Sequence, residues 1–107
     1  MRRCASVIGL RPEHEAQYRA LHANVWPDVL AALKRAHIRN YSIFLRDGQL
    51  FSYYEYVGDN HDADLAKLAD DPATRRWWTL TDVCQRPVET AEDGQWWAPA
   101  QEVFHCD

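Results

Sequence analysis

The spacing of apolar residues changes from segment to segment along the chain, and each spacing predicts an element. "RCASVIGL", Arg3 to Leu10, has strand-forming residues at its centre. "RPEHE" then supplies a helix start, with Pro12 in the first turn and acidic residues behind it. From there Tyr18, Leu21, His22, Val25, Val29 and Leu33 fall within about 100° of one another at 3.6 residues per turn. Glu15, Arg19, Asn24, Asp28 and Lys34 lie mostly outside that stripe. The pattern predicts one amphipathic helix whose inward side carries two polar rings, Tyr18 and His22. Pro27 interrupts it, because proline cannot donate to the carbonyl of Ala23 and its ring pushes Trp26 off helical geometry. A kink is expected one turn after His22.

"NYSIFLRDGQLFSYYEYVGDN" is the clearest local signal. Two alternating runs, Asn40 to Leu45 and Leu50 to Val57, meet at Asp47-Gly48, a dipeptide suited to the positive φ of a hairpin turn. Alternation sends Tyr41, Ile43 and Leu45 to one face of the first strand, and Phe51, Tyr53, Glu55 and Val57 to one face of the second. A short helix through Leu65, Leu68 and Ala69 follows, and a further helix starts with Asp71 as N-cap and Pro72 at its first position. That helix places Trp77 and Trp78 side by side. "QRPVETAEDGQWWAP" has no periodicity and predicts a loop, after which "AQEVFHCD" predicts a closing strand. The order βαββα(α)β fits an α+β fold, a ferredoxin-like antiparallel sheet with helices on one face. The second sheet face is left for a partner subunit or a ligand.

Composition narrows the function. A length of 107 residues, 47% hydrophobic and 26% charged, fits a single folded domain spanning 1–107. Thirteen aromatics, five of them Trp, exceed what so small a core needs and suit the walls of a ligand site. A net charge of −4 with scattered Lys and Arg argues against nucleic acid, and no apolar run approaches the ~20 residues of a membrane span. Cys4, Cys84 and Cys106 are odd in number and widely spaced, so free thiols in a reducing cytoplasm are expected.

The five histidines make no metal-ligand spacing and the four glycines no phosphate loop, so neither a metal nor a nucleotide is expected. Acid/base chemistry is left. A histidine exchanges protons near neutral pH, and Tyr18 sits one turn from His22 on the same face. Tyr41, Tyr53, Glu55, Trp77 and Trp78 add hydroxyls, a carboxylate and flat apolar surfaces, a mixture suited to a small polyol. Glu55 fits a solvated or dimer-facing strand surface equally well.

Four motifs together, "YRALHANVWP" at Tyr18 to Pro27, "NYSI" at Asn40 to Ile43, "RWW" at Arg76 to Trp78 and "EVF" at Glu102 to Phe104, resemble the L-rhamnose mutarotases. The likeness runs through nearly the whole chain, and departs from the family between Cys84 and Pro99, in the stretch containing "GQWWAP". It implies a homodimeric α+β barrel that interconverts the anomers of a 6-deoxy-L-hexose monosaccharide without a cofactor. His22 matches the family's proton donor, and Tyr18, Tyr41, Trp77 and Trp78 match its sugar-binding residues. Related mutarotases act on L-fucose. Small dimeric barrels of this fold also include cofactor-independent oxygenases and haem-binding proteins, in which His22 would ligate iron; an interaction module with aromatics at its interface is the third class.

Overall fold

A computed structural model describes residues 1–107. Strand β1 (Arg2–Leu10) leads through a single 3-10 turn (Pro12–His14) into helix α1 (Glu15–Ala23). Helix α2 (Pro27–Arg35) precedes the hairpin of β2 (Ile38–Arg46) and β3 (Gln49–Tyr56), followed by α3 (His61–Asp70) and α4 (Pro72–Asp82). Two short strands, β4 (Gln85–Arg86) and β5 (Ala98–Ala100), complete the set.

The sheet is antiparallel in the order β2-β3-β1-β4, with β5 pairing β1 on the same edge as β4. This is the ferredoxin-like order expected from the sequence, with all four helices on one face. Residues of β1 and β3 that face each other across the ladder share a face, so Ile8 with Leu50 and Ser6 with Ser52 point to the helices. Ile8, Leu10, Leu50, Cys84 and the Tyr18 ring form one core cluster. Val29, Ala73 and Trp77 form another beneath α1 and α2.

The predicted single helix is two. Asn24, Val25 and Trp26 separate them; Pro27 begins α2 at its first turn, and Trp26 before it is extended at φ −61° and ψ 136°. The expectation of a kink underestimates the effect: the residue before a proline is pushed out of helical geometry, and here Asn24 has already left it at φ −142°. Trp26 packs edge-on to Trp77, with centroids 5.1 Å apart.

Asp47 and Gly48 turn the hairpin with φ of 49° and 74°, the left-handed values that suit their identities. A bulge opposite Tyr54, where Arg39 pairs Glu55 but Ser42 pairs Tyr53, inserts one extra residue and turns Tyr41 toward the helices. Tyr41, Ile43 and Leu45 thus share the helix side, in line with their spacing. Asp71 caps α4 by accepting from the Thr74 amide at 2.9 Å, and Pro72 follows it.

The closing strand is displaced from its expected place. It occupies Ala98–Ala100, inside the segment read partly as loop, and 101–107 run without secondary structure. Val103 and Phe104, 92% and 80% exposed, have no surface of this chain to cover them. Glu102 is nonetheless tied to Arg3 by a 2.6 Å ion pair.

Candidate active site

Helix α1 presents Tyr18 and His22 one turn apart toward the sheet. Their rings stack with centroids 4.1 Å apart and planes inclined by 29°. The His22 Nδ1 lies 2.9 Å from the Tyr18 carbonyl. A carbonyl can only accept, so Nδ1 carries a proton and donates it there. Nε2 has no partner in the chain and is the nitrogen free to exchange protons.

Helix α4 brings Trp77 edge-on to His22, with centroids 5.3 Å apart. Trp77 is 5% exposed and wedged between His22 and Trp26, so it is a wall of the site and a core residue together. Trp78, next in sequence and about 100° further round the helix, is 38% exposed and has no ring against it. The pair matched to sugar binding is therefore split: one ring supports His22, the other is partly exposed on the helix surface.

Tyr41 comes from the β2 bulge. It is 41% exposed overall, and desolvation raises the pKa of its hydroxyl. Burial also pushes the Tyr18 hydroxyl far above the usual phenol value, and a charge on nearby Tyr41 would push it further. Both phenols stay protonated across the physiological range. Tyr41 in turn faces Tyr54 with centroids 5.7 Å apart.

Tyr18, His22 and Trp77 thus meet in the layer between helices and sheet, and Tyr41 lies on the helix side of the sheet beside Tyr54. Tyr53 and Glu55 do not join them: the register places both on the opposite sheet face. There Glu55 accepts from Tyr53 at 2.8 Å and from Asn40 at 2.6 Å, and these bonds, Asn40 first, hold its pKa below the usual carboxylate range. Two surface pockets, of about 520 and 230 Å³, lie elsewhere, along α2 beside Arg35 and Asp71. No three His, Cys, Asp or Glu side chains converge as a metal-binding group, and no helix is long and apolar enough to cross a membrane.

Two residues at the site carried no signal in the sequence. Gln85, buried at the start of β4, donates from Nε2 to the Tyr18 hydroxyl at 3.3 Å, and the Trp96 indole donates to the Gln85 Oε1 at 3.3 Å. Both fall in the aperiodic segment, where only the path of the chain brings them to Tyr18. Trp97, adjacent to Trp96, packs against the Tyr18 cluster.

A sequence model of the L-rhamnose mutarotase family matches residues 3–106. The chain belongs to the L-rhamnose mutarotase family. Within that family, an L-rhamnose mutarotase from Oceanobacillus iheyensis is 30% identical over 109 residues, covering all of both chains. One from Lactiplantibacillus plantarum is 34% identical over 113 residues, again over the full length of both. The crystal structure of an L-rhamnose mutarotase from Formosa agariphila superposes with a TM-score of 0.78 at 23% identity, covering both chains completely. That likeness shows the fold is the mutarotase family's, including the helix layer that carries Tyr18 and His22.

Proposed function

We propose that this protein is an L-rhamnose mutarotase, an isomerase that interconverts the α and β anomers of L-rhamnose. The observation that carries the reading is the His22 imidazole, with Nδ1 held by the Tyr18 carbonyl and Nε2 unpartnered, in a chain of this family. Opening the pyranose breaks the C1–O5 bond; its electrons go to O5, which takes a proton, while the anomeric hydroxyl loses one and becomes the aldehyde oxygen. Rotation about C1–C2 offers the other face, and reclosure returns both protons. Protonated His22 gives its Nε2 proton to O5 and takes it back on reclosure. The Nδ1–H bond is kept in both states, so the ring stays in one orientation throughout. The raised pKa values of Tyr18 and Tyr41 make neither a base near neutral pH, which leaves water to take the anomeric proton.

Tyr18 and Tyr41 hold sugar hydroxyls, while Trp77 and Trp78 face the apolar side of the ring and its C6 methyl, which orients the sugar. The opposite sheet face, with Phe44 63% exposed and Phe51 beside it in the pairing, is covered by a second copy in a homodimeric barrel. Free Cys4, Cys84 and Cys106 suit the cytoplasm.

Saturation-transfer NMR on L-rhamnose, with L-fucose run in parallel, tests the reading. Exchange between anomer signals faster with protein than without is the expected result, and larger for L-rhamnose. An uncatalysed rate for both sugars would overturn it.

A further inference from the structure

The Trp96–Gln85–Tyr18 chain sets the direction of the hydrogen bonds at the site. An indole N–H can only donate, so the Trp96 Nε1 at 3.3 Å requires that the Gln85 carboxamide present its oxygen there. This removes the ambiguity of an amide's two ends. The Gln85 NH₂ group then faces Tyr18, whose hydroxyl must accept, at 3.3 Å. The chain offers the Tyr18 oxygen no other partner, so its own proton is free to be donated. Burial keeps that proton in place by raising the hydroxyl's pKa. A buried carboxamide with both ends engaged, between an indole at the surface and a phenol in the core, is a fixed device.

We infer that Gln85 and Trp96 are positioning residues that lock the Tyr18 hydroxyl as a hydrogen-bond donor to an oxygen of the bound sugar, beside the proton-exchanging Nε2 of His22. The identity of that ligand rests on the mutarotase reading. The site then offers one fixed donor and one nitrogen that alternates between acceptor and donor. In Trp96→Phe, therefore, nothing holds the Gln85 oxygen away from Tyr18, and the carboxamide can turn and take the phenol's proton.

The experiment is a double-mutant cycle on anomer exchange of L-rhamnose. Trp96→Phe, at an exposed position, raises KM about three- to tenfold, the range set by a lost or weakened hydrogen bond, with kcat within about twofold. Gln85→Met does the same or more. In a Tyr18→Phe background, adding Trp96→Phe has no further effect on KM, because the hydroxyl it orients is gone. An equal effect of Trp96→Phe with and without the Tyr18 hydroxyl, or no effect at all, would overturn the relay. ¹³Cζ-tyrosine NMR reads the relay without sugar. The Tyr18 resonance, assigned by its loss in Tyr18→Phe, shifts in Trp96→Phe and Gln85→Met; an unmoved signal also overturns the proposal. If wild-type protein fails to exchange anomers while that signal moves, the mutarotase reading fails and the relay stands.

Discussion

The His22 ring lies against the Tyr18 ring, 4.1 Å away, and is bonded through Nδ1 to the carbonyl of that same residue. One residue thus supports the imidazole twice, by its side chain and by its backbone. The geometry follows from i, i+4 spacing on a helix, which stacks the two side chains on one face. His22→Gln should therefore remove proton exchange and little else, lowering turnover by about 10² to 10⁴. Saturation-transfer rates beside a circular-dichroism spectrum of the variant check this. A folded variant with wild-type rate would remove His22 from the mechanism.

Trp77 and Trp78 should separate in a pair of alanine variants. Trp77→Ala empties a site enclosed by His22, Trp26, Val29 and Ala73, and should cost about 3–5 kcal/mol of stability. Trp78→Ala removes a partly exposed side chain and should leave stability nearly unchanged while weakening sugar affinity. Urea titration and a binding isotherm for each variant would tell them apart.

Acid should unfold the protein in part through Asp64. Its carboxylate accepts from the Tyr56 hydroxyl and from His37 Nδ1 at 3.0 Å, and these bonds, Tyr56 first, hold its pKa below the ordinary carboxylate value. A depressed folded pKa means that the stabilisation is fully present above the unfolded value, about 3.9, and is lost as pH falls through the folded one. Asp71, bonded to the Thr74 amide and hydroxyl, is shifted in the same direction. Asp64→Asn should flatten the fall of stability below about pH 4 and lower stability at neutral pH. Thermal melts from pH 2 to 7 would show whether the acid limb changes slope.

Phe44→Asp should dissociate the proposed homodimer, because the residue projects from the uncovered sheet face, where a charge would be buried against a second copy. Analytical ultracentrifugation would report a monomer for the variant and a dimer for the wild type. Two identical sedimentation profiles would point to a different interface.

Much of the site is legible in the sequence because its main parts are local. Tyr18 and His22 share a face through helical spacing alone, and Asp71-Pro72 specifies the start of the helix that carries Trp77. The hairpin turn follows from Asp47-Gly48. Tyr41 reaches the helix side because β2 bulges at the head of the alternating run, so the period-two count from Tyr41 onward is undisturbed. The separation of Glu55 from His22 is not legible, since it depends on which face the helices cover. Trp78 likewise differs from Trp77 only in what packs beside it.

The amino-acid sequence by itself determined the helix stripe, its break at Pro27, the hairpin and the order of elements, all of which depend on interactions within a few residues. Tertiary structure alone decided that Gln85 and Trp96 meet Tyr18, that β5 forms at Ala98–Ala100, and that Trp77 is enclosed while Trp78 is not. Those outcomes depend on contacts between residues far apart in the chain: Gln85 and Tyr18 are 67 positions apart. No local period encodes such a pairing, and only the packing of the helix layer on the sheet brings its members within bonding distance.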